Sequence, residues 1–197
     1  MKKIITVLLV ACCCLSAQAQ YEKSSSVSGY RGYISTGIAF PISYYSVMDG
    51  LRLLYTSHGY RFNQIVYLGV GAGGGIHTNS ISGGEFVGSP FFDSKSITLP
   101  VFANLKINLL KSEMAPMIDI KAGYAFVHYW ESQSYKKYKP GPFASISVGY
   151  NFGIGEKQCF NVLFGYEIMI SESNDSHYNH YTYKNAQVLT FTLEYGF

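Results

Sequence analysis

Six charged residues of this 197-residue chain stand inside segments where apolar and polar residues alternate. These three bases and three acids are Arg52, Lys106, Asp119, Lys121, Glu167 and Glu194. Alternate residues of a β-strand point to opposite faces, so all six belong to the face opposite the apolar one. Charges on an enclosed face can line a pore or neutralise one another. The equal numbers favour mutual neutralisation, in a network whose loss destabilises the fold rather than alters transport.

A second candidate site lies in two long segments without alternation. Its members are Tyr135, Lys136, Lys137, Tyr138 and Lys139 in one segment, and Tyr178 and Tyr181 in the other. Lysine charge beside aromatic faces suits contact with an anionic glycolipid or another polyanion, and exposed tyrosines suit carbohydrate or protein ligands. We name these residues as the candidate loop contacts, although for the lysine segment taken alone a solvated loop tip is the preferred interpretation.

Residues 69–74 fit the GxGxxG pattern of dinucleotide sites. That pattern binds a pyrophosphate only when a helix begins directly after it, and residues 75–80 do not start a helix. Glycines on an inward face instead leave room for bulky neighbours such as Tyr67 and Phe102. We therefore predict no nucleotide and no other cofactor.

Metal binding and catalysis find little support in the sequence. His177 and His180 lie near two carboxylates, but exposed loop histidines are commonly just solvated, so we expect no metal. No GxSxG elbow accompanies any serine. Asp93, His77 and Ser94 could form a catalytic set only in an arbitrarily chosen loop conformation. We predict that the chain is not an enzyme.

Eight segments alternate with a period of two, and each predicts a strand. They span residues 34–40, 51–56, 66–73, 97–109, 118–126, 144–152, 160–168 and 189–197. In residues 97–109, all seven odd-numbered positions are apolar. No segment after the amino terminus approaches 18 consecutive apolar residues, so the sequence predicts no transmembrane helix.

The contents of the two faces predict a barrel that spans a membrane. One face is apolar with tyrosines near strand ends, namely Tyr55, Tyr124, Tyr150, Tyr166 and Tyr195, while the other holds small, polar and charged residues. A soluble barrel would turn its apolar face inward. Short connections at 57–63, 110–115 and 153–158 alternate with long ones at 41–50, 76–96, 128–141 and 171–186. This asymmetry places the short connections and both termini in the periplasm.

The amino terminus has the form of a secretory signal. Lys2 and Lys3 precede an apolar run, and Ala17-Gln18-Ala19 forms a cleavage site. We predict a cleaved signal peptide at 1–19, a short periplasmic segment at 20–29 and a barrel at 30–197. Lipidation of Cys12 is the alternative. Cleavage leaves 13 bases against 12 acids, and this nearly neutral charge excludes a nucleic-acid binder. It also leaves a single cysteine, which excludes a disulfide framework.

The chain resembles small eight-stranded outer-membrane barrels of the OmpA/OmpX-like group. The resemblance is carried by residues 17–20, the glycine-rich 69–73, residues 99–106 and the closing 191–197. It implies an all-β, eight-stranded antiparallel up-and-down transmembrane β-barrel in the bacterial outer membrane. It also implies that Phe191, Leu193, Tyr195 and Phe197 form an insertion signal for the barrel-assembly machinery.

We expect a structural or surface-interaction role in which extracellular loops contact outer-membrane lipid, glycolipid, a host surface or a protein. A narrow porin-like pore for small solutes and a lipid-modifying enzyme are the alternatives.

Overall fold

The computed structural model describes residues 28–42, 49–78, 95–112, 114–129, 136–138, 140–154, 158–175 and 180–197. Nine strands follow in chain order: β1 (Gly29–Pro41), β2 (Asp49–Arg61), β3 (Val66–Thr78), β4 (Lys95–Asn108), β5 (Met114–Tyr129), β6 (Lys136–Tyr138), β7 (Gly141–Gly153), β8 (Cys159–Asp175) and β9 (His180–Gly196). Within these ranges, no helix is long and apolar enough to cross a membrane.

Eight long strands close into one barrel, and the short β6 is attached to β8 outside the ring. Each long strand pairs antiparallel with its neighbours along the chain, and β9 pairs with both β8 and β1. Pairing of the last strand with the first removes the free sheet edges that would otherwise attract other strands. The predicted eight-stranded antiparallel up-and-down barrel is confirmed.

Strict alternation of side chains sets the inside and the outside of this barrel. In β7, Phe143, Ser145 and Ser147 are buried, whereas Ile146 and Val148 are more than half exposed. A strand turns every second side chain to the same face, so the alternating sequence pattern becomes an interior and an outer surface. The same division of polar and apolar residues runs through β4, where Asn104 and Lys106 are buried and Val101 is exposed.

A β-bulge in β2 changes the predicted direction of one tyrosine. The pairing of β2 with β3 skips a residue between Arg52 and Leu54, and Leu53 and Leu54 are both exposed. An extra residue in one strand reverses the alternation beyond it. Tyr55, predicted to lie on the outer face, is instead buried in the interior with 4% exposure. The prediction was wrong because alternation counted along one strand cannot detect an extra residue.

The connections at one end of the barrel are short, and both the start of β1 and the end of β9 lie there. We call this the short-connection end and the opposite one the long-connection end. Between β2 and β3, the Asn63 side-chain oxygen accepts hydrogen bonds from the backbone of Ile65 and Val66, both at 2.8 Å. Such an Asx arrangement is a standard way to reverse the chain tightly.

Several strands extend further than their alternation predicts. β1 begins at Gly29 and β2 continues to Arg61, which makes part of the predicted connection 57–63 a strand. The predicted connection 171–186 is also mostly strand, because β8 reaches Asp175 and β9 starts at His180. These additional strand residues are largely polar, and they pair by continuing the register of the barrel strands. Hydrophobic periodicity therefore does not reveal them.

Candidate functional site

The barrel interior brings the six charged residues of the sequence analysis together as ion pairs. Arg52 pairs with Glu167 near the long-connection end. Toward the short-connection end, the Lys106 ammonium lies 2.8 Å from a Glu194 oxygen and 3.2 Å from an Asp119 oxygen. Lys121 also pairs with Asp119. Each acid therefore has a basic partner, which a buried carboxylate requires because water is excluded from it.

Amide side chains complete the hydrogen bonding of these acids. Asn104 donates to Asp119, and Asn161 donates to Glu194 at 2.7 Å. Asn151 in turn donates to the Asn161 oxygen at 2.7 Å, and Ser57 donates to the Asn104 oxygen at 3.0 Å. Sequence reasoning assigned no role to these residues, although the inward register of the three asparagines is visible in the alternation. These hydrogen bonds hold the acids in one arrangement, because any other arrangement would leave buried polar groups without partners.

Two further arginines make the interior more basic than predicted. Arg31 and Arg61 are buried at the short-connection end, with 7% and 9% exposure. The described interior thus holds five buried bases, with Arg52, Lys106 and Lys121, against three buried acids. The expected set of six charges omits these two residues, because Arg31 precedes the first alternating segment and Arg61 lies in the predicted connection 57–63.

An apolar cluster fills the interior toward the long-connection end. Its members are Ala39, Tyr55, Phe102, Ala125, Phe143, Met169 and Val188, with Val127 packed against them. The ring centroids of Tyr55 and Phe102 are 6.0 Å apart, and those of Phe102 and Phe143 are 6.1 Å apart. Eight strands leave an interior just wide enough for side chains, and here aromatic rings occupy it.

The glycine-rich β3 makes room for these rings. A Cβ atom at Gly71 would collide with the Phe102 ring, and one at Gly73 would collide with the Tyr55 ring. A Cβ atom at Gly69 would meet the Tyr67 hydroxyl. The predicted spatial role of these glycines agrees with this geometry, since only a missing side chain lets the rings approach the strand.

The outer surface carries an apolar band with aromatic pairs near both ends. Val70, Val148 and Phe164 are 68%, 57% and 61% exposed. At the short-connection end, Tyr60 lies beside Phe62 and Tyr150 beside Phe152, with ring centroids 5.3 and 5.2 Å apart. Toward the long-connection end, Tyr124 lies beside Phe126 at 5.3 Å, and Tyr166 is partly exposed. A contiguous apolar surface of this extent marks a protein or membrane interface.

The four residues of the proposed insertion signal lie along the closing strand. Phe191, Leu193, Tyr195 and Phe197 alternate with the buried Thr190, Thr192 and Glu194. The Phe197 ring covers Gly32, where a Cβ atom would collide with it. Phe197 and Gly32 also exchange two backbone hydrogen bonds of 2.9 Å. The last residue therefore helps join β9 to β1.

A three-stranded sheet continues beyond the barrel at the long-connection end. We name it the strand extension, made of residues 136–138 of β6, 171–175 of β8 and 180–184 of β9. Backbone pairing places Lys137 of β6 opposite Asn174 of β8, and Asn174 opposite Tyr181 of β9. The two predicted contact segments therefore lie on either side of β8. The pairing of β1 with β9 stops at Pro41 and Val188. Among the described residues, 180–184 therefore pair on one side only.

Other residues singled out in the sequence lie outside the described ranges. They are Tyr135, Lys139, His177, Tyr178, Asp93 and Ser94, together with the signal segment 1–19. Within the described part of the chain, no group of three or more His, Cys, Asp or Glu side chains is placed to hold a metal ion. The catalytic set assembled from loops has only His77 in a described strand.

Comparison with known proteins supports the fold and no finer assignment. No protein-family model and no curated protein matches the chain. The crystal structure of Neisserial surface protein A matches with a TM-score of 0.56 and 12% identity, over 89% of this chain and 98% of that one. The amino-terminal β-barrel domain of Pseudomonas aeruginosa OprF matches with a TM-score of 0.48 and 10% identity, over 87% of this chain and 100% of that one. Pseudomonas aeruginosa OprG matches with a TM-score of 0.48 and 12% identity, over 86% of this chain and 91% of that one. With Neisserial surface protein A, the chain shares the eight-stranded antiparallel barrel fold.

Proposed function

We propose that the chain is an integral β-barrel protein of the bacterial outer membrane with a structural and surface-interaction role. The observation that carries the membrane assignment is the apolar outer band around a polar, charged interior, the reverse of a soluble barrel. In this proposal the short-connection end faces the periplasm, and the barrel-assembly machinery recognises the segment 191–197.

The cheapest test of membrane insertion is gel mobility. A closed membrane barrel resists detergent at room temperature, so unboiled and boiled samples of refolded protein should migrate differently. Identical mobility, together with solubility in the absence of detergent, would contradict the proposal.

The proposed contact site is the strand extension. Its register brings Lys136, Lys137 and Tyr138 to the same sheet as Tyr181. An adjacent pair of lysines with tyrosines suits an anionic glycolipid or polyanion, and a strand paired on one side offers backbone groups to a protein partner. Both ligand classes belong to a cell surface, which is where the long-connection end lies in this orientation.

Shortening the extension tests this role while leaving the barrel in place. Residues 172–183 are replaced by Asn-Gly, a two-residue hairpin turn that joins Ser171 to its partner Lys184. Binding of the protein in nanodiscs to immobilised lipopolysaccharide should be lost, with the heat-dependent gel mobility retained. The double substitution Lys136→Gln/Lys137→Gln should weaken binding, whereas Lys111→Gln, at the short-connection end, should not. Unchanged binding by the shortened protein would count against the extension as the contact site.

The interior geometry argues against the pore alternative. Phe102, Phe143 and Met169 are each at most 4% exposed and belong to one apolar cluster across the interior. Planar-bilayer recordings of the refolded protein should therefore give a flat trace. We further propose that the chain is not catalytic, which a lipid-hydrolysis or acyl-transfer assay with purified protein would test directly.

A further inference from the structure

Three polar side chains interrupt the apolar outer surface toward the short-connection end. We name them the polar trio, made of Tyr30 of β1 and Thr56 and His58 of β2. In the strand register Ile34 lies opposite Thr56 and Val70 lies opposite His58, and both of these apolar residues are exposed. Polar groups that face hydrocarbon are unfavourable and rare, so this group indicates a specific role.

Two hydrogen bonds join the polar trio into a chain. The Tyr30 hydroxyl lies 2.6 Å from His58 Nδ1, and the Thr56 hydroxyl lies 2.8 Å from His58 Nε2. The rings of Tyr30 and His58 are also stacked, with centroids 6.1 Å apart. Both nitrogens of the imidazole therefore have a hydroxyl partner, which holds the ring in one orientation.

The polar trio has more donor hydrogens than these two bonds use. A neutral imidazole carries one N–H group and each hydroxyl carries one O–H group, which gives three donors. If the hydrogen is on His58 Nδ1, it is donated to Tyr30, Thr56 donates to Nε2, and the Tyr30 hydrogen is left over. In the other tautomer the Thr56 hydrogen is left over, and a protonated imidazole leaves both. At least one hydroxyl therefore always has a hydrogen to donate outside the polar trio.

Thr36 shows that an outward hydroxyl of this barrel can instead be satisfied within the protein. It is exposed on β1, and its hydroxyl donates to the backbone carbonyl of Arg52 at 2.9 Å. Among the described residues, the hydroxyls of Tyr30 and Thr56 have only His58 as a hydrogen-bond partner. The remaining donor of the polar trio is therefore available to a molecule that lies against the barrel.

Aromatic rings flank the polar trio. Tyr30 pairs in register with Tyr60, whose ring contacts that of Phe62. On the other side, the Phe197 ring is nearly perpendicular to the His58 ring, with centroids 6.4 Å apart. Aromatic side chains of membrane proteins gather at the level of the lipid headgroups. Phospholipids carry anionic phosphate oxygens at this level, and these are strong hydrogen-bond acceptors.

We propose that the polar trio binds the headgroup of a glycerophospholipid in the leaflet at the short-connection end. A phosphate oxygen of the lipid accepts a hydrogen bond from the hydroxyl of Tyr30 or Thr56, according to the tautomer of His58. The inference rests on the proposed insertion in a membrane and adds one specific lipid site to it. This site is distinct from the strand extension, which lies at the opposite end of the barrel.

The ring signals of His58 give a direct readout by nuclear magnetic resonance. The chain without residues 1–19, with isotope-labelled histidine rings, is refolded in maltoside micelles and titrated with dihexanoyl phosphatidylethanolamine. We expect a saturable shift of the His58 signals, which are assigned with His58→Gln. Dihexanoyl glycerol lacks the phosphate and inorganic phosphate lacks the acyl chains, so each should bind at least about tenfold more weakly than the phospholipid.

A double variant tests the two hydroxyls. Tyr30→Phe/Thr56→Val removes both donors and keeps the ring and the branched shape, so it should weaken phospholipid binding at least about tenfold, the loss of one charge-assisted hydrogen bond. The matched control is Thr36→Val. It removes another exposed hydroxyl of the outer surface, one that is bonded within the protein, and should leave the affinity for phospholipid unchanged.

Each outcome decides the proposal. His58 signals that do not shift, or that shift without saturation, overturn it, and this result needs only the native protein if the double variant fails to refold. Equal affinity for dihexanoyl glycerol or inorganic phosphate, or equal phospholipid affinity in the double variant, also overturns it. Heat-dependent gel mobility of the same sample separates the two levels of the account. A failed titration with this mobility retained contradicts the lipid site alone, whereas loss of both contradicts membrane insertion as well.

Discussion

At the scale of single residues, the interior contains charges that compensate more than one buried partner, and Lys106 is the clearest case. Lys106 is 1% exposed and contacts both Glu194 and Asp119, and its ammonium also lies 4.7 Å from the centre of the Tyr33 ring. Removal of this one group leaves two buried carboxylates with less compensation. Their desolvation then opposes folding.

Substitution Lys106→Met should therefore lower the free energy of unfolding by about 3–5 kcal/mol, measured by urea titration in lipid vesicles. The matched control is Lys111→Met, whose exposed side chain should change that free energy by less than about 0.5 kcal/mol. The double variant Lys106→Met/Glu194→Gln should recover part of the loss, because it also removes one of the stranded charges. A loss below about 1 kcal/mol in the single variant would show that the network is not the stabilising feature.

Residue identities on the inner face followed from the sequence only where the alternation was clean. The six predicted charges lie in alternating segments, Arg52 just ahead of the bulge in β2, and all six are buried. Tyr55 was misplaced because the bulge beside Leu54 is visible only when two strands are paired. Arg31 and Arg61 were missed because their strand ends carry too few apolar residues to produce a pattern.

At the scale of strands, β3 shows how one element adapts to the packing of its neighbours. Its glycines lie directly against the rings of Phe102 and Tyr55, where a side chain would collide with them. Gly71→Val should force the Phe102 ring aside and cost about 1–3 kcal/mol of stability. Ala72→Val is the matched control, since Ala72 is exposed on the outer face of the same strand and should be tolerated. Equal stability of the two variants in urea titrations would contradict this role of the glycines.

The closing strand β9 has a further requirement at its end. Phe197→Ala removes the ring that covers Gly32, and it removes the terminal aromatic of the proposed insertion signal. We expect less assembled barrel in the outer membrane of expressing cells, measured as the heat-modifiable fraction. Phe152→Ala, which alters another aromatic pair at the same end, should reduce assembly much less. Equal losses in the two variants would assign the effect to the aromatic surface rather than to an insertion signal.

The reach of β8 and β9 beyond the barrel was not predictable from hydrophobic periodicity. Residues 171–175 and 180–184 are largely polar, and their strand character follows from the register continued from the barrel. The candidate contact residues were chosen by chemistry from two separate loops. Lys137 and Tyr181 lie opposite the same residue of β8, Asn174. This is visible only from the pairing of β6 with β8 and of β8 with β9.

At the scale of the whole molecule, two opposite surfaces account for the modest mean hydropathy of +0.08. The outer surface is a band of apolar side chains, and the interior is a polar network closed by an apolar cluster at one end. A barrel built in this way satisfies its backbone hydrogen bonds from strand to strand, as the interior of a bilayer requires. The central claim is that the exposed apolar face contacts lipid.

Spin labels along β7 test this claim most directly. Single cysteines are introduced at positions 144–148 of the chain without residues 1–19, in a Cys159→Ser background, and the labelled protein is reconstituted in lipid bilayers. We predict that labels at Ala144, Ile146 and Val148 collide readily with oxygen, which dissolves in lipid, and poorly with a water-soluble nickel complex. Labels at Ser145 and Ser147 should be shielded from both. Access of the nickel complex to positions 144, 146 and 148, with no period of two in the oxygen collisions, would contradict the account.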